Sequence, residues 1–274
     1  MEKMERTIEK ALKIARAFPQ TLAFGVSGSF AHNKTDQYSD YDFCIFTDGQ
    51  IPDPNQKRDI YKKKRITEFD YFDVDFEISN GDGFALDNHE CGFLWMEHQR
   101  SLDLLDQLNK NWNLNEYLPG GIERTKIVFE TDNEIKTLKD RLYYTDERSI
   151  GRFKLFINRA HFSMYTLKWL EKAAFRNDYY SFHKNSFETI EYLVYALYAL
   201  NKKWMADEKR VLQLVGNLDW TPENLESRLK DIILYTNGNC DLNRCFQNIK
   251  ALFIETIGIF SEIYGHEPEG KLWK

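Results

Sequence analysis

Nowhere in the 274 residues does an apolar run approach the roughly 18 residues that a membrane span needs. No spanning helix is therefore expected, and the charged, amphipathic start MEKMERTIEK is unlike a leader peptide, which places the protein in the cytoplasm. Cysteine is scarce and scattered at Cys44, Cys91, Cys240 and Cys245, without a CxxC pair and histidine partners, so neither a disulfide framework nor a zinc site is indicated. Basic clusters are missing too. The net charge is −6 and Lys and Arg are dispersed except for KKKR at Lys62–Arg65, which disfavours nucleic acid as the main partner. There is no internal repeat, no low-complexity tract and no Gly/Ser/Pro-rich linker. The histidines carry no pattern: His32 falls in a polar loop, and His161 and His183 fall in aromatic-rich helical segments where packing is the default.

What is present is a sizeable apolar complement, 42% of the residues, ample for a buried core. Aromatics reach 15%, with fifteen Tyr and six Trp, which suits a small-molecule cleft and ordinary cores equally. Met4, Ile8, Ala11, Leu12 and Ala15 recur at helical spacing before Pro19. TLAFGVS (Thr21–Ser27) and YDFCIFT (Tyr41–Thr47) read as strands. In YFDVDFEIS (Tyr71–Ser79), strict alternation places Phe72, Val74, Phe76 and Ile78 on one face and Asp73, Asp75 and Glu77 on the other. Residues 84–118 read as mostly helical, closed by LPGG, followed by a strand in TKIVFET and a helix from NEIKTLKDRL. From Ser149 the period is helical throughout: Ser149–Ala174, SFETIEYLVYALYALNKKW, DEKRVLQLVGNL, and segments near 222–235 and 242–264. Tyr192, Tyr195 and Tyr198 fall at helical spacing and read as packing. The expected fold class is α+β: strands alternating with helices over residues 1–145, then a helical bundle over 146–274.

The chemistry concentrates in GSFAHNKTDQYSDYDFCIF (Gly28–Phe46). Two carboxylates two apart on a strand point the same way, so Asp40 and Asp42 repel unless a cation lies between them. Mg²⁺ suits the pair, because it takes one or two carboxylates and completes its shell with water and substrate phosphates. Gly28 allows a close backbone approach, and the Ser29 hydroxyl and neighbouring N–H groups can donate to phosphate oxygens.

Gly-Ser followed by Asp-x-Asp, with an acid between apolar residues on a later strand, resembles the signature of the DNA polymerase beta-type nucleotidyltransferase superfamily. The stretch GSF…DQYSDYDFCIF is most similar to the bacterial lincosamide and aminoglycoside nucleotidyltransferases, which also place a mixed-sheet domain before a helical bundle. The resemblance implies that Gly28 and Ser29 hold triphosphate oxygens and that Asp40 and Asp42 ligate Mg²⁺. Val74-Asp75-Phe76 best matches the third motif, making Asp75 the third ligand or the general base, with Asp73 and Glu77 open to the same role. YALNKKWMADEKR (Tyr198–Arg210) resembles a stretch in which a lysine approaches the phosphates, here Lys209.

The implied activity is Mg²⁺-dependent transfer of a nucleoside monophosphate from an NTP to a hydroxyl of a small molecule, with pyrophosphate release. The implied acceptor class is an antibiotic, a lincosamide or an aminoglycoside, and a homodimer is the candidate assembly. Two alternatives stand beside it: transfer to a macromolecule, tRNA or protein, and a non-catalytic nucleotide-binding or toxin–antitoxin-type module. Glu130, after the TKIVF strand, is a minor candidate base.

Overall fold

The computed structural model describes residues 2–31, 39–76, 79–108, 110–112, 114, 116–162, 167–205, 209, 211–234 and 241–268. They fall into two compact units, Met1–Leu108 with Glu116–Tyr143, and Asn109–Asn115 with Tyr144–Lys274.

In the first unit, helix α1 (Glu2–Ala15) leads into strand β1 (Thr21–Val26), the single turn α2 (Gly28–Ala31) and strand β2 (Tyr41–Thr47). Helix α3 (Pro54–Lys63) follows, opened by Pro54 and by the Asp53 carboxylate, which accepts from the N–H groups of Asn55 at 2.9 Å and Gln56 at 3.1 Å. Then come β3 (Phe69–Asp75), β4 (Asn80–Leu86), β5 (His89–Glu97), α4 (His98–Leu108), α5 (Tyr117–Arg124), β6 (Lys126–Glu130) and α6 (Glu134–Asp140). The strands form one mixed sheet in the order β3-β4-β5-β2-β1-β6, in which only β2 and β5 run parallel.

One face of this sheet is apolar because alternate residues of its central strands are: Tyr41, Phe43 and Ile45 on β2, and Cys91, Phe93 and Trp95 on β5. Ala11, Ile14 and Phe18 from α1 and its C-terminal turn, and Tyr61 from α3, close over them, with Phe18 meeting Trp95 edge-on at 4.7 Å between ring centroids. The opposite face presents Asp42, Gly92 and Gly83, which are neighbours across β2, β5 and β4.

The helical expectation for residues 84–118 gives way to a β-hairpin followed by α4 and α5. Asp87 and Asn88 both take left-handed φ, 55° and 61°, as the two-residue turn between paired Leu86 and His89 requires. The short apolar run in HECGFLWME has no period that separates a buried strand from a helix, and pairing with β2 decides it. LPGG does not close a helix either; it lies inside α5.

The second unit comprises α7 (Asp146–Phe162), α8 (Leu167–Phe175), α9 (Tyr179–Leu200), α10 (Val211–Val215), α11 (Leu225–Leu234) and α12 (Leu242–Tyr264) around a core that includes Phe153, Ile157, Leu197 and Phe253. The expected stretch Ser149–Ala174 is helical on both sides of residues 163–166, which lie outside the described residues. Part of 109–115 joins this unit because the Arg152 guanidinium donates to the carbonyls of Trp112 at 2.7 Å and Leu114 at 2.9 Å. Among the described residues, no helix is long and apolar enough to cross a membrane.

Candidate active site

Gly28 stands where β1 turns into α2, and its φ of +60° is a left-handed value that glycine adopts without strain. Space demands glycine as well, since a Cβ at this position would overlap the Asp42 carboxylate. The turn is pinned from the strand side: the Ser27 N–H donates to the Asp42 carbonyl at 2.8 Å. Beside it, the Ser29 Oγ is buried and has no hydrogen-bond partner among the described residues. A buried hydroxyl without a partner costs roughly 1–3 kcal/mol, which a phosphate oxygen placed there would recover.

Asp42 projects from β2 onto the face away from the aromatic core, and its Oδ1 lies 3.4 Å from where a Gly92 Cβ would stand. Asp40 lies two residues earlier, half-buried, at the mouth of the same strand. Both carboxylates act on one reporter, the Tyr71 phenol, whose pKa is raised first by burial and then by the charges of Asp42 and Asp40. Gly28, Ser29, Asp40 and Asp42 are therefore gathered at one place. Among the described residues no cluster of three or more His, Cys, Asp or Glu side chains is assembled for a metal. Two carboxylates beside a phosphate cradle still fit a hard divalent cation, which draws the rest of its shell from phosphates and water.

Asp75 is not brought to that place. The register of β3 slips between Tyr71 and Val74, where Asp73 takes a left-handed φ of 56°, so one extra residue inverts the alternation from there on. Tyr71, Val74 and Phe76 consequently face the Asp42 side, while Phe72, Asp73 and Asp75 face α3. The Asp75 Oδ1 accepts from the Asn80 amide at 2.9 Å, and Asp73 pairs with the Lys57 ammonium at 3.1 Å. Glu77 lies outside the described residues, as does His32. Lys209 is exposed in a turn between α9 and α10, within the second unit. Glu130 caps a helix instead of reaching the acid pair, since its Oε2 accepts from the N–H groups of Ile135 at 3.0 Å and Lys136 at 3.4 Å in the first turn of α6.

The acid that does share the face is Glu90. Alternation along β5 sets Glu90, Gly92 and Leu94 on Asp42's side, and Glu90 immediately precedes Cys91, which pairs with Tyr41. It escapes a sequence reading because its segment reads as helix; the Asp87-Asn88 turn signal is what could have revealed it.

On the other face a buried ionic cluster ties α3 to β3, β4 and β5. Lys57 and Asp82 are both fully buried, 3.2 Å apart, and the Asp82 carboxylate also accepts from Tyr61 at 2.8 Å, the Trp95 indole at 2.7 Å and the Asp73 N–H at 2.9 Å. Lys57 donates in addition to Asn80. Tyr61 is held well above the ordinary phenol pKa, chiefly by burial and then by Asp82, and so remains a donor.

Residues 8–144, half of the chain, match the family model of the nucleotidyltransferase domain. The chain belongs to this family. The nucleotidyltransferase match spans the strands and helices that carry the glycine turn and the acid pair, and nucleotidyltransferase domains generally use divalent metal ions. Among solved structures, a nucleotidyltransferase-like protein from Exiguobacterium sibiricum 255-15 is similar at 12% identity and a TM-score of 0.47, covering 97% of this chain and 81% of that one. No curated protein matches the sequence.

Two of the thiols of this nucleotidyltransferase, Cys44 and Cys91, are buried. Burial, with smaller contributions from Asp40 and Asp87, pushes the Cys91 thiol up to about 12, and burial raises Cys44. Neither thiol is expected to react with iodoacetamide at pH 8 in the folded protein, whereas both alkylate in urea, as peptide mass spectrometry would show. The unfolded chain sheds these protons first, so Cys91 stabilises the fold fully below about pH 8.5 and less as pH rises toward 12. The slope approaches about 1.4 kcal/mol per pH unit for one thiol.

Proposed function

We propose that the enzyme transfers a nucleoside monophosphate from an Mg²⁺-bound NTP to a hydroxyl of a small molecule. The observation that carries this reading is the interlock of Gly28 with the Asp42 carboxylate beside the buried Ser29 Oγ, which has no partner among the described residues. Ser29 and the adjoining backbone bind the β- and γ-phosphates. Asp40 and Asp42 would hold the metal, which when bound would supply charge neutralisation at the α-phosphate. The acceptor oxygen bonds to the α-phosphorus, the bond to the β-phosphate oxygen breaks, and pyrophosphate leaves with the electron pair. Glu90 takes the hydroxyl proton, a role that Asp75 on the opposite face does not fill. Lincosamides and aminoglycosides are the acceptors proposed for testing.

The test is incubation with Mg²⁺, each of the four NTPs and a panel of such hydroxyl compounds, scoring pyrophosphate release. Gly28→Ala strains the turn and pushes a methyl into Asp42, and release is expected to fall by about 10²-fold, with stability lowered by about 1–3 kcal/mol. Equal rates for wild type and Gly28→Ala, or no release from any pair, would remove the reading.

A further inference from the structure

We propose that Tyr71 and Phe76, laid over a lane of glycines beside the acid pair, form the acceptor shelf and select a hydroxyl compound with an apolar face over a polycation. This rests on the nucleotidyl-transfer reading and adds to it the side from which the acceptor enters.

The lane runs across β4 and β5. A Cβ at Gly83 would overlap the Tyr71 ring, one at Gly81 would stand 2.6 Å from the Phe76 ring, and one at Gly92 would stand 3.2 Å from the Tyr71 Oη. Glycine weakens a strand, so three of them on one face mark a close approach of other groups, here the two rings against the backbone. The rings are not sealed in: Tyr71 is 39% exposed, Val74 39% and Phe76 49%. One side of the shelf rests on the sheet and the other faces solvent, an apolar floor leading to the carboxylates.

Position assigns the occupant. Strand order sets Asp42, Gly92, Gly83 and Tyr71 in a row along β2, β5, β4 and β3, with Gly28 against Asp42 from the turn that follows β1. With the departing pyrophosphate on the Gly28–Ser29 side of Asp42, in-line attack requires the acceptor oxygen on the opposite side, over Gly92, where the Tyr71 hydroxyl stands. That hydroxyl, 3.2 Å from where a Gly92 Cβ would stand, is placed to donate to an acceptor oxygen and orient it. A strongly hydrated polyamine loses solvation on such a floor, whereas an apolar ring system gains by burial.

The experiment uses the full chain with Mg·ATP binding followed by calorimetry, and pyrophosphate release with lincomycin, an apolar-faced single amine, and kanamycin, a polyamine. Lincomycin is expected to be the better acceptor. Phe76→Ala is expected to raise its KM about tenfold, and Tyr71→Phe to lower kcat/KM about fivefold, both with the Mg·ATP affinity unchanged. Better turnover of kanamycin, an unchanged lincomycin KM in both variants, or a shift in the KM for ATP instead, overturns the shelf. Turnover of neither compound while Mg·ATP still binds overturns the acceptor class. Failure of Mg·ATP to bind wild type at all sinks the parent reading rather than the shelf alone.

Discussion

Asp42→Asn is expected to leave a folded protein whose pyrophosphate release is about 10²–10³-fold slower than wild type, the range for removing one preorganised charge-stabilising group. The substitution keeps the shape that fills the empty side of Gly28 and retains the backbone bond from Ser27. What it removes is one of two negative charges at the spacing of alternate strand residues, where mutual repulsion costs about 1 kcal/mol in a solvated setting. Without metal, the variant should therefore melt at the wild-type temperature or slightly above it. With Mg²⁺ and a non-hydrolysable ATP analogue, wild type should gain several degrees by preferential binding to the native state, and Asp42→Asn should gain little. A calorimetric scan in four conditions separates these effects. An Asp42→Asn protein that melts well below wild type without ligand, or gains equally from metal and nucleotide, would show that Asp42 serves the fold instead of the metal.

The glycine turn and acid pair were legible in the sequence because their logic is local: a left-handed glycine, a serine and two acids two apart carry their meaning within fifteen residues. The strands and the change to helices were legible from periodicity, and the mixed sheet followed from the resemblance; the family match to residues 8–144 agrees with that order. Non-local pairing hid the rest. Alternation in YFDVDFEIS predicts an acidic face only if the strand is regular, and the extra residue at Asp73 exchanges the faces, turning Asp75 toward Asn80 and Val74 and Phe76 toward the site. Glu90 stayed hidden for a related reason, because the β4–β5 hairpin is specified by a two-residue turn and a strand partner fifty residues earlier. The chain marks that face with glycines, at 81, 83 and 92, whose significance emerges only once the strands are aligned.

The bulge depends on the buried ionic cluster beneath it, since Asp82 accepts the Asp73 N–H at 2.9 Å and Lys57 pairs with the Asp73 carboxylate at 3.1 Å. Lys57→Met is expected to destabilise the protein by about 3–5 kcal/mol, because it strands a buried Asp82 charge that retains neutral donors but loses its cation. Asp82→Ala should cost at least as much: Tyr61, Trp95 and the Asp73 N–H lose their acceptor while Lys57 keeps one ionic partner. Adding Asp82→Asn to Lys57→Met removes the stranded charge, and Asn can still accept from Trp95 or Tyr61. The double variant should then be more stable than Lys57→Met alone, a coupling of about 1.5–3 kcal/mol that denaturant unfolding can resolve. Additive losses would show that the two charges do not depend on each other. The same variants report on function from the reverse side of the sheet. If Lys57 and Asp82 hold the bulge, loosening them lets Tyr71 and Phe76 lose their seat on the glycines, so the acceptor KM rises before the Mg·ATP affinity changes, because Gly28 and Asp42 are anchored on β1 and β2, beyond β5 from the bulge.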